Sequence, residues 1–294
     1  MTVLETQNLS KRYGRITAVD NLSLSISSGG VHGILGPNGS GKTTTLSMVL
    51  GVVEPDKGTF RWFGEEPQAR HRLRIGALWA NPNMYPYLTA VQNLKVVCDI
   101  KGVPYSRIDE SLKFVKLYDR RSSRYSGFST GMKQRLQIAS TLLNDPEVLI
   151  LDEPTNGLDP QGIAEVRELI RELGQGNRTI ILASHLLDEV EKVCTHVSIL
   201  KQGKLMASGS VDELLGQKQT VELAAEDMGM LEHTLNEISA TDALRKEGSV
   251  MIASMKKDMT TAQLNKLLFD RGIVLTHLVM RKTRLEEQFI ELTR

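Results

Sequence analysis

Apolar residues follow two different spacings along the chain, and the changes from one to the other predict its elements. Over the first thirty-five residues the period is two: "VLETQNL" and "LSLSI" alternate, and "GVHGILG" is an apolar run ending on glycine, so strands are expected there. The next stretch, "KTTTLSMVLG", reads as helix, which gives the order strand, glycine-rich loop, helix. From about Ala80 to Asn144 helical spacing dominates. Met132, Leu136, Ala139 and Leu143 share one helix face, and Asn144-Asp145-Pro146 ends that helix. Strand and helix then alternate through "EVLILDEP", "IAEVRELIRELGQG", "TIILASH" and "LLDEVEKVC" to "HVSILKQGKLMASG", read as one strand. Such alternation predicts a mostly parallel α/β core. Beyond about Gly216 come a strand "TVELA", a helix near 227–238, a hairpin at Glu247-Gly248, a helix "TAQLNKLLFDRG" and a last strand "IVLTHLVM". The expected organisation is an α/β domain over 1–215 with a helical insert at about 80–145, then a small α+β domain over 216–294.

Composition narrows the classes. Hydrophobic residues make up 40% of the 294, enough for cores of this size, and a formal net charge of +1 leaves no global basic field, so no nucleic-acid partner is expected. Two distant cysteines, Cys98 and Cys194, and an N-terminus without a secretion pattern point to a reducing cytoplasm. Apolar runs such as "VLIL" fall far short of the ~18 residues of a membrane span.

Three stretches carry chemistry. "GPNGSGKT" at 36–43 fits the P-loop pattern, in which glycines let backbone N–H groups turn toward phosphate oxygens. Gly36, Asn38, Gly39, Ser40, Gly41 and Thr44 are expected to line the nucleotide, Lys42 to reach its β- and γ-phosphates, and the Thr43 hydroxyl to ligate Mg²⁺. A plain glycine-rich turn is the alternative, and the strand before and helix after argue against it. The strand "VLILDE" ends in Asp152, expected to hold Mg²⁺ through its water shell, and Glu153, expected to orient or deprotonate the attacking water. His185 follows "TIILAS" at a strand end, where open α/β sheets bind ligands, and is a candidate γ-phosphate contact. The third stretch, "SGFSTGMKQR", starts a helix with no acid in its first turn. Ser129, Thr130 and Gly131, with Lys133 and Arg135 behind them, suit an anion arriving from outside the chain.

The P-loop, "FSTGMKQR", "LILDEPTNGLD" and "SH", in this order, resemble the nucleotide-binding subunits of ABC transporters over about residues 3–215. The resemblance implies a P-loop NTPase core with an antiparallel β-subdomain, ATP with Mg²⁺ as ligand, and a head-to-tail dimer with a second ATP-binding subunit, a homodimer in the simplest case. Ser129 and Gly131 match the signature positions that cap the partner's γ-phosphate. Tyr13 matches the aromatic that stacks on adenine, and Asp159 the acid linking the two sites; taken alone, Tyr13 suits packing and Asp159 a helix cap before Pro160. A separate membrane-spanning permease would hold the chain at the inner face of the cell membrane.

Phe128, Thr130 and Met132 depart from the usual Leu-Ser-Gly-Gly-Gln, and Ala80 stands where the family has Gln. Asn81 could substitute if the loop shifts, although Pro82 restrains it. Ser129 and Gly131 remain for phosphate contact, and Ala80 implies altered coupling more than lost ATP affinity, since the phosphate cradle and Mg²⁺ ligands do not depend on it. The tail "RLEEQFIELT" and the loop "NPNMYPYLT" resemble ATPases of drug, bacteriocin or lantibiotic export. Basic residues from Lys101 to Arg135 suit either a solvated face or an anionic membrane surface. Two other classes stay open: a soluble ABC ATPase acting on ribosomes or DNA, and a weakly hydrolysing regulatory subunit.

Overall fold

A computed structural model describes residues 1–79, 84–214, 220–238, 241–255 and 259–281, with backbone alone at 241–243. The expectations attached to Ala80, Asn81, Pro82 and the tail "RLEEQFIELT" lie outside the described residues. The chain forms two compact units, Met1–Ser210 and Val211–Leu292.

The first unit begins with β1 (Thr2–Tyr13), β2 (Ile16–Ser27) and β3 (Gly30–Leu35), followed by α1 (Lys42–Val49), β4 (Lys57–Trp62) and β5 (Ile75–Leu78). Strands β1, β2 and β4 form an antiparallel sheet in the order β2-β1-β4. Its inward residues Leu9, Val19 and Leu22 share one core with Leu46 and Met48 of α1 and with Ile34 of β3. Helix α1 is therefore buried nearly all round, as a helix between two sheets must be. Neither β4 nor β5 is announced by the sequence pattern: β4 turns only Phe60 and Trp62 inward, and β5 is four residues long.

The insert is helical, as its spacing predicts: α2 (Ala90–Lys101), α3 (Ser106–Phe114) and α4 (Thr130–Leu142). Thr89 and Gln92 close a capping box on α2, which stops at Gly102 in the left-handed conformation. Then come β6 (Val148–Asp152), α5 (Pro160–Gly174), β7 (Thr179–Ser184), α6 (Leu187–Glu191), β8 (His196–Lys201) and β9 (Lys204–Ser210). The central sheet runs β5-β6-β7-β3-β8-β9, parallel except for β9. Every residue of β6 and β7 is buried, which is why these strands read as unbroken apolar runs. Because β3, β7 and β6 are neighbours, the loops at their carboxyl ends open side by side.

One expectation is corrected: residues 196–210 are a hairpin and not one strand. Gln202 (φ +50°) and Gly203 (φ +80°) make a two-residue turn with both centres left-handed, the geometry that matches the twist of paired strands. The turn also backs the P-loop, with Gly203 N–H donating to Ser40 O at 3.0 Å.

The second unit opens with α7 (Val211–Leu214) and continues as β10 (Thr220–Ala225), α8 (Met228–Glu237), β11 (Thr241–Glu247), β12 (Val250–Met255), α9 (Thr261–Phe269) and β13 (Leu275–Arg281). Its antiparallel sheet, in the order β11-β12-β10-β13, gives a βαββαβ, ferredoxin-like unit. Leu231 and Leu235 of α8 and Leu264 and Leu268 of α9 join Val221, Leu223, Met251 and Ala253 of the sheet in a separate core.

Candidate active site

The loop between β3 and α1 is shaped by glycines, two of which, Gly36 and Gly41, leave no room for a side chain. A Cβ at Gly36 would stand 2.3 Å from Leu200 O and 2.4 Å from Ser40 Oγ; at Gly41, where φ is +102°, it would stand 2.5 Å from Ala18 O. Helix α1 starts directly after Gly41 with no acidic residue in its first turn and no side-chain cap. The positive end of its dipole thus faces the loop with no acid of its own first turn, an arrangement suited to phosphate.

Lys42 folds back over this loop. Its Nζ donates to Gly36 O at 2.8 Å and Pro37 O at 3.3 Å, and lies 3.4 Å from Glu153 Oε1. Thr43 Oγ1 donates to Asp152 Oδ2 at 3.0 Å. Asp152 ends β6 and is 2% exposed. Burial pushes its carboxyl above the usual carboxylate range; the Thr43 bond draws it down, the Glu153 charge pushes it up and Lys42 draws it down. Its second oxygen, Oδ1, is buried without a hydrogen-bond partner among the described residues, as is Ser40 Oγ.

Glu153 adopts φ +50°, a left-handed turn off the strand end, held by its N–H to Ala183 O (2.9 Å) and by Asn156 N–H to its carbonyl (3.1 Å). A non-glycine residue there costs on the order of 1 kcal/mol, strain of the kind that gathers at functional sites. The turn aims the side chain at β7: Glu153 Oε2 lies 2.8 Å from His185 Nδ1. One carboxylate therefore bridges Lys42 and His185.

The structure brings Lys42, Thr43, Asp152, Glu153 and His185 together, beside the loop of Gly36, Asn38, Gly39, Ser40 and Gly41 and the first turn of α1, which holds Thr44. Among the described residues, no hydrogen bond or ion pair ties Tyr13, Ser129, Gly131 or Asp159 to that group. Tyr13, 48% exposed at the end of β1, has Lys11 Nζ 5.9 Å from its ring centroid. Ser129 caps α4, its Oγ accepting from Met132 N–H at 3.3 Å, which leaves its own proton free to donate. Asp159 caps α5, its Oδ1 accepting from Gly162 N–H at 2.8 Å. The two helix starts are neighbours, since a Cβ on Gly131 would meet Gly162 Cα at 3.8 Å.

The basic residues are fewer at the surface than the sequence suggests. Arg135 does not serve the start of α4: it turns inward, 3.4 Å from both Val115 O and Glu165 Oε2, because it lies more than a turn along the helix on the face toward its neighbours. Lys101 is half-buried, donating to Ser140 O (3.1 Å) and Asn144 Oδ1 (2.7 Å), and Arg121 lies over the Tyr118 ring at 4.3 Å. Spacing alone gave no sign of an apolar cavity of about 620 Å³ lined by Val49, Val52, Trp62, Arg72 and Trp79, since its walls come from four separate stretches.

The ABC transporter family profile matches residues 19–156. Over 99% of this chain and 96% of its own length, the uncharacterised ABC transporter ATP-binding protein YhcH of Bacillus subtilis is 38% identical. The bacitracin transport ATP-binding protein BcrA of Bacillus licheniformis is 37% identical over 99% of this chain and 97% of its own. Among solved structures, cbiO1 of Clostridium perfringens, part of the ABC transporter complex cbiONQ, superposes with a TM-score of 0.67 at 26% identity, covering 81% of this chain and 96% of that one. A phosphate-shaped loop, an acid-ended strand beside it and likeness along nearly the whole length agree: this chain belongs to the ABC transporter ATP-binding proteins and is an ATPase of that family.

Proposed function

We propose that this ATPase drives an exporter: two copies close head to tail around two ATP molecules and power a separate membrane-spanning permease, whose cargo is a drug, a peptide antibiotic or a lipid-like molecule. The observation that carries the reading is a division of labour. Lys42, Thr43, Asp152, Glu153 and His185 cluster within one chain, whereas the start of α4, with no acid in its first turn and capped by Ser129, is bonded to no carboxylate among the described residues.

In this reading Lys42 leaves the Gly36 and Pro37 carbonyls to hold the β- and γ-phosphates. Glu153 takes the proton of the attacking water. His185 fixes the carboxylate through Nδ1 and turns its other nitrogen toward the γ-phosphate, and Tyr13 stacks on adenine. Ser129 and the Gly131 amide contact the ATP of the opposite copy, with Asp159 beside them. The unpartnered Asp152 Oδ1 next to the Thr43 hydroxyl suits a hard, oxygen-seeking cation, so Thr43 and Asp152 would hold Mg²⁺. The ion supplies neutralisation of phosphate charge. In this reading the mostly apolar cavity bounded by Val52 and Trp79 receives a segment of the permease, which would keep the chain at the inner face of the membrane. Among the described residues no helix is long and apolar enough to cross a membrane. The whole-length likeness to a bacitracin transport protein supports a peptide-antibiotic cargo.

The test is to purify tagged Glu153→Gln from gently solubilised membranes of its host. A stoichiometric multi-span membrane protein is expected; ribosomes, DNA-bound partners or no membrane protein would contradict the exporter reading.

A further inference from the structure

Asn93, one turn into α2, is 1% exposed and directs its whole amide at one short stretch of chain. Its Oδ1 accepts from Tyr85 N–H at 2.7 Å, and its Nδ2 donates to Tyr85 O and Thr89 O at 3.1 Å and to Leu88 O at 3.4 Å. That stretch is laced to the segment leading into α4. Leu88 O accepts from Tyr125 N–H and Pro86 O from Ser126 N–H, both at 2.9 Å; Ala90 N–H donates to Ser123 O and Val91 N–H to Arg121 O, both at 3.1 Å. Thr89 and Arg124 form an antiparallel bridge between them. Beyond the ladder, Phe128 N–H donates to Tyr125 O at 3.1 Å, and the Tyr125 hydroxyl accepts from Gln137 Nε2 of α4 at 3.1 Å. Hydrogen bonds thus link Asn93 to residues 85–89, these to 121–126, and Tyr125 to Gln137 of the helix that Ser129 caps.

We propose that Asn93 is a positioning residue for ATP hydrolysis: by fixing residues 85–89 it sets, through the ladder to 121–126, where Ser129 and Gly131 stand. This rests on the reading of the α4 start as the contact for the opposite copy's ATP. Asn93 itself touches no nucleotide, so its loss should weaken dimer closure and turnover while leaving the P-loop intact. A displacement of about 1 Å at such a contact is enough to slow a reaction manyfold.

The test compares Asn93→Ala, Ala90→Pro, Ser129→Ala and the double variant Asn93→Ala/Ser129→Ala, each checked for folding by circular dichroism. Ala90 is the first residue of α2 and follows an extended Thr89, so the helix backbone tolerates proline there; Ala90→Pro removes the Ser123 rung and presses its ring on that carbonyl at a fully buried position, loosening the ladder locally. In Asn93→Ala and Ala90→Pro, kcat should fall roughly tenfold or more, with affinity for a non-hydrolysable ATP analogue within twofold of wild type. The double variant should turn over no more slowly than Ser129→Ala alone, as expected when two residues act through one contact. Wild-type kcat in folded Asn93→Ala or Ala90→Pro would overturn the proposal, as would analogue affinity falling in step with kcat or a double variant slowed by the full product. Wild-type turnover in Ser129→Ala would overturn the signature reading and the positioning role together.

Discussion

Gly39 and Gly41 sit two residues apart in one loop, both left-handed, and should respond differently to the same added methyl group. At Gly39 (φ +79°) nothing lies within 4 Å of a new Cβ, so Gly39→Ala should cost only the left-handed strain, about 1–2 kcal/mol. At Gly41 the Cβ would also strike the backbone at Ala18 O, so Gly41→Ala should lose a further 1–3 kcal/mol or so and most nucleotide binding. Urea unfolding of the two variants, with ATP-analogue titration, checks the order; equal losses would contradict it. For chemistry, Glu153→Gln should lower kcat by roughly a hundredfold or more while ATP still binds, measured by phosphate release against equilibrium binding. The residue types of this site were legible because phosphate and metal chemistry restrict them so tightly. The contacts among them were not: that Glu153 reaches both Lys42 and His185 depends on β6 lying beside β7, a pairing no local pattern encodes. The inward turn of Arg135 is hidden from local sequence for the same reason, because its partners come from α5 and the end of α3.

Helix ends and strand partners govern the next scale. Asp159 caps α5, so Asp159→Ala should cost about 1 kcal/mol, and Asp159→Asn, which keeps the cap, close to nothing. If Asp159 also links the two ATP sites, Asp159→Asn will lose turnover while its unfolding free energy stays at the wild-type value; recovery of both would leave only the cap. On β3, burial first and the neighbouring His196 second push the pKa of His32 down to about 4 from the ordinary 6.5. Below pH 6.5 the unfolded chain therefore binds the proton that the folded chain refuses. Stability is complete above that pH and falls as pH drops toward 4, by at most about 1.4 kcal/mol per unit. The difference in unfolding free energy between wild type and His32→Gln should shrink through that window; a flat difference from pH 7 to 4.5 would refute the assignment. Most helices were legible from periodicity and caps. The β8–β9 hairpin was not, because Gln202-Gly203 is a quieter turn signal than Asn-Gly, and the flanking residues continue a strand-like pattern.

Each of the two units has its own core, so a chain ending at Ser210 should fold and bind ATP, as thermal unfolding with and without ATP would reveal. Failure of that shortened chain to gain stability from ATP would mean that the first unit needs the second. The α+β character of the second unit was legible in its texture, yet its strand order was not, since β10 lies between β12 and β13 through pairings far apart in sequence. The most direct test of the central claim is the mass of Glu153→Gln in solution, by light scattering, with and without ATP and Mg²⁺. One copy should become two when ATP is added, and Ser129→Ala in the same background should leave it single. A single copy at saturating ATP, or a dimer indifferent to Ser129, would contradict the head-to-tail account.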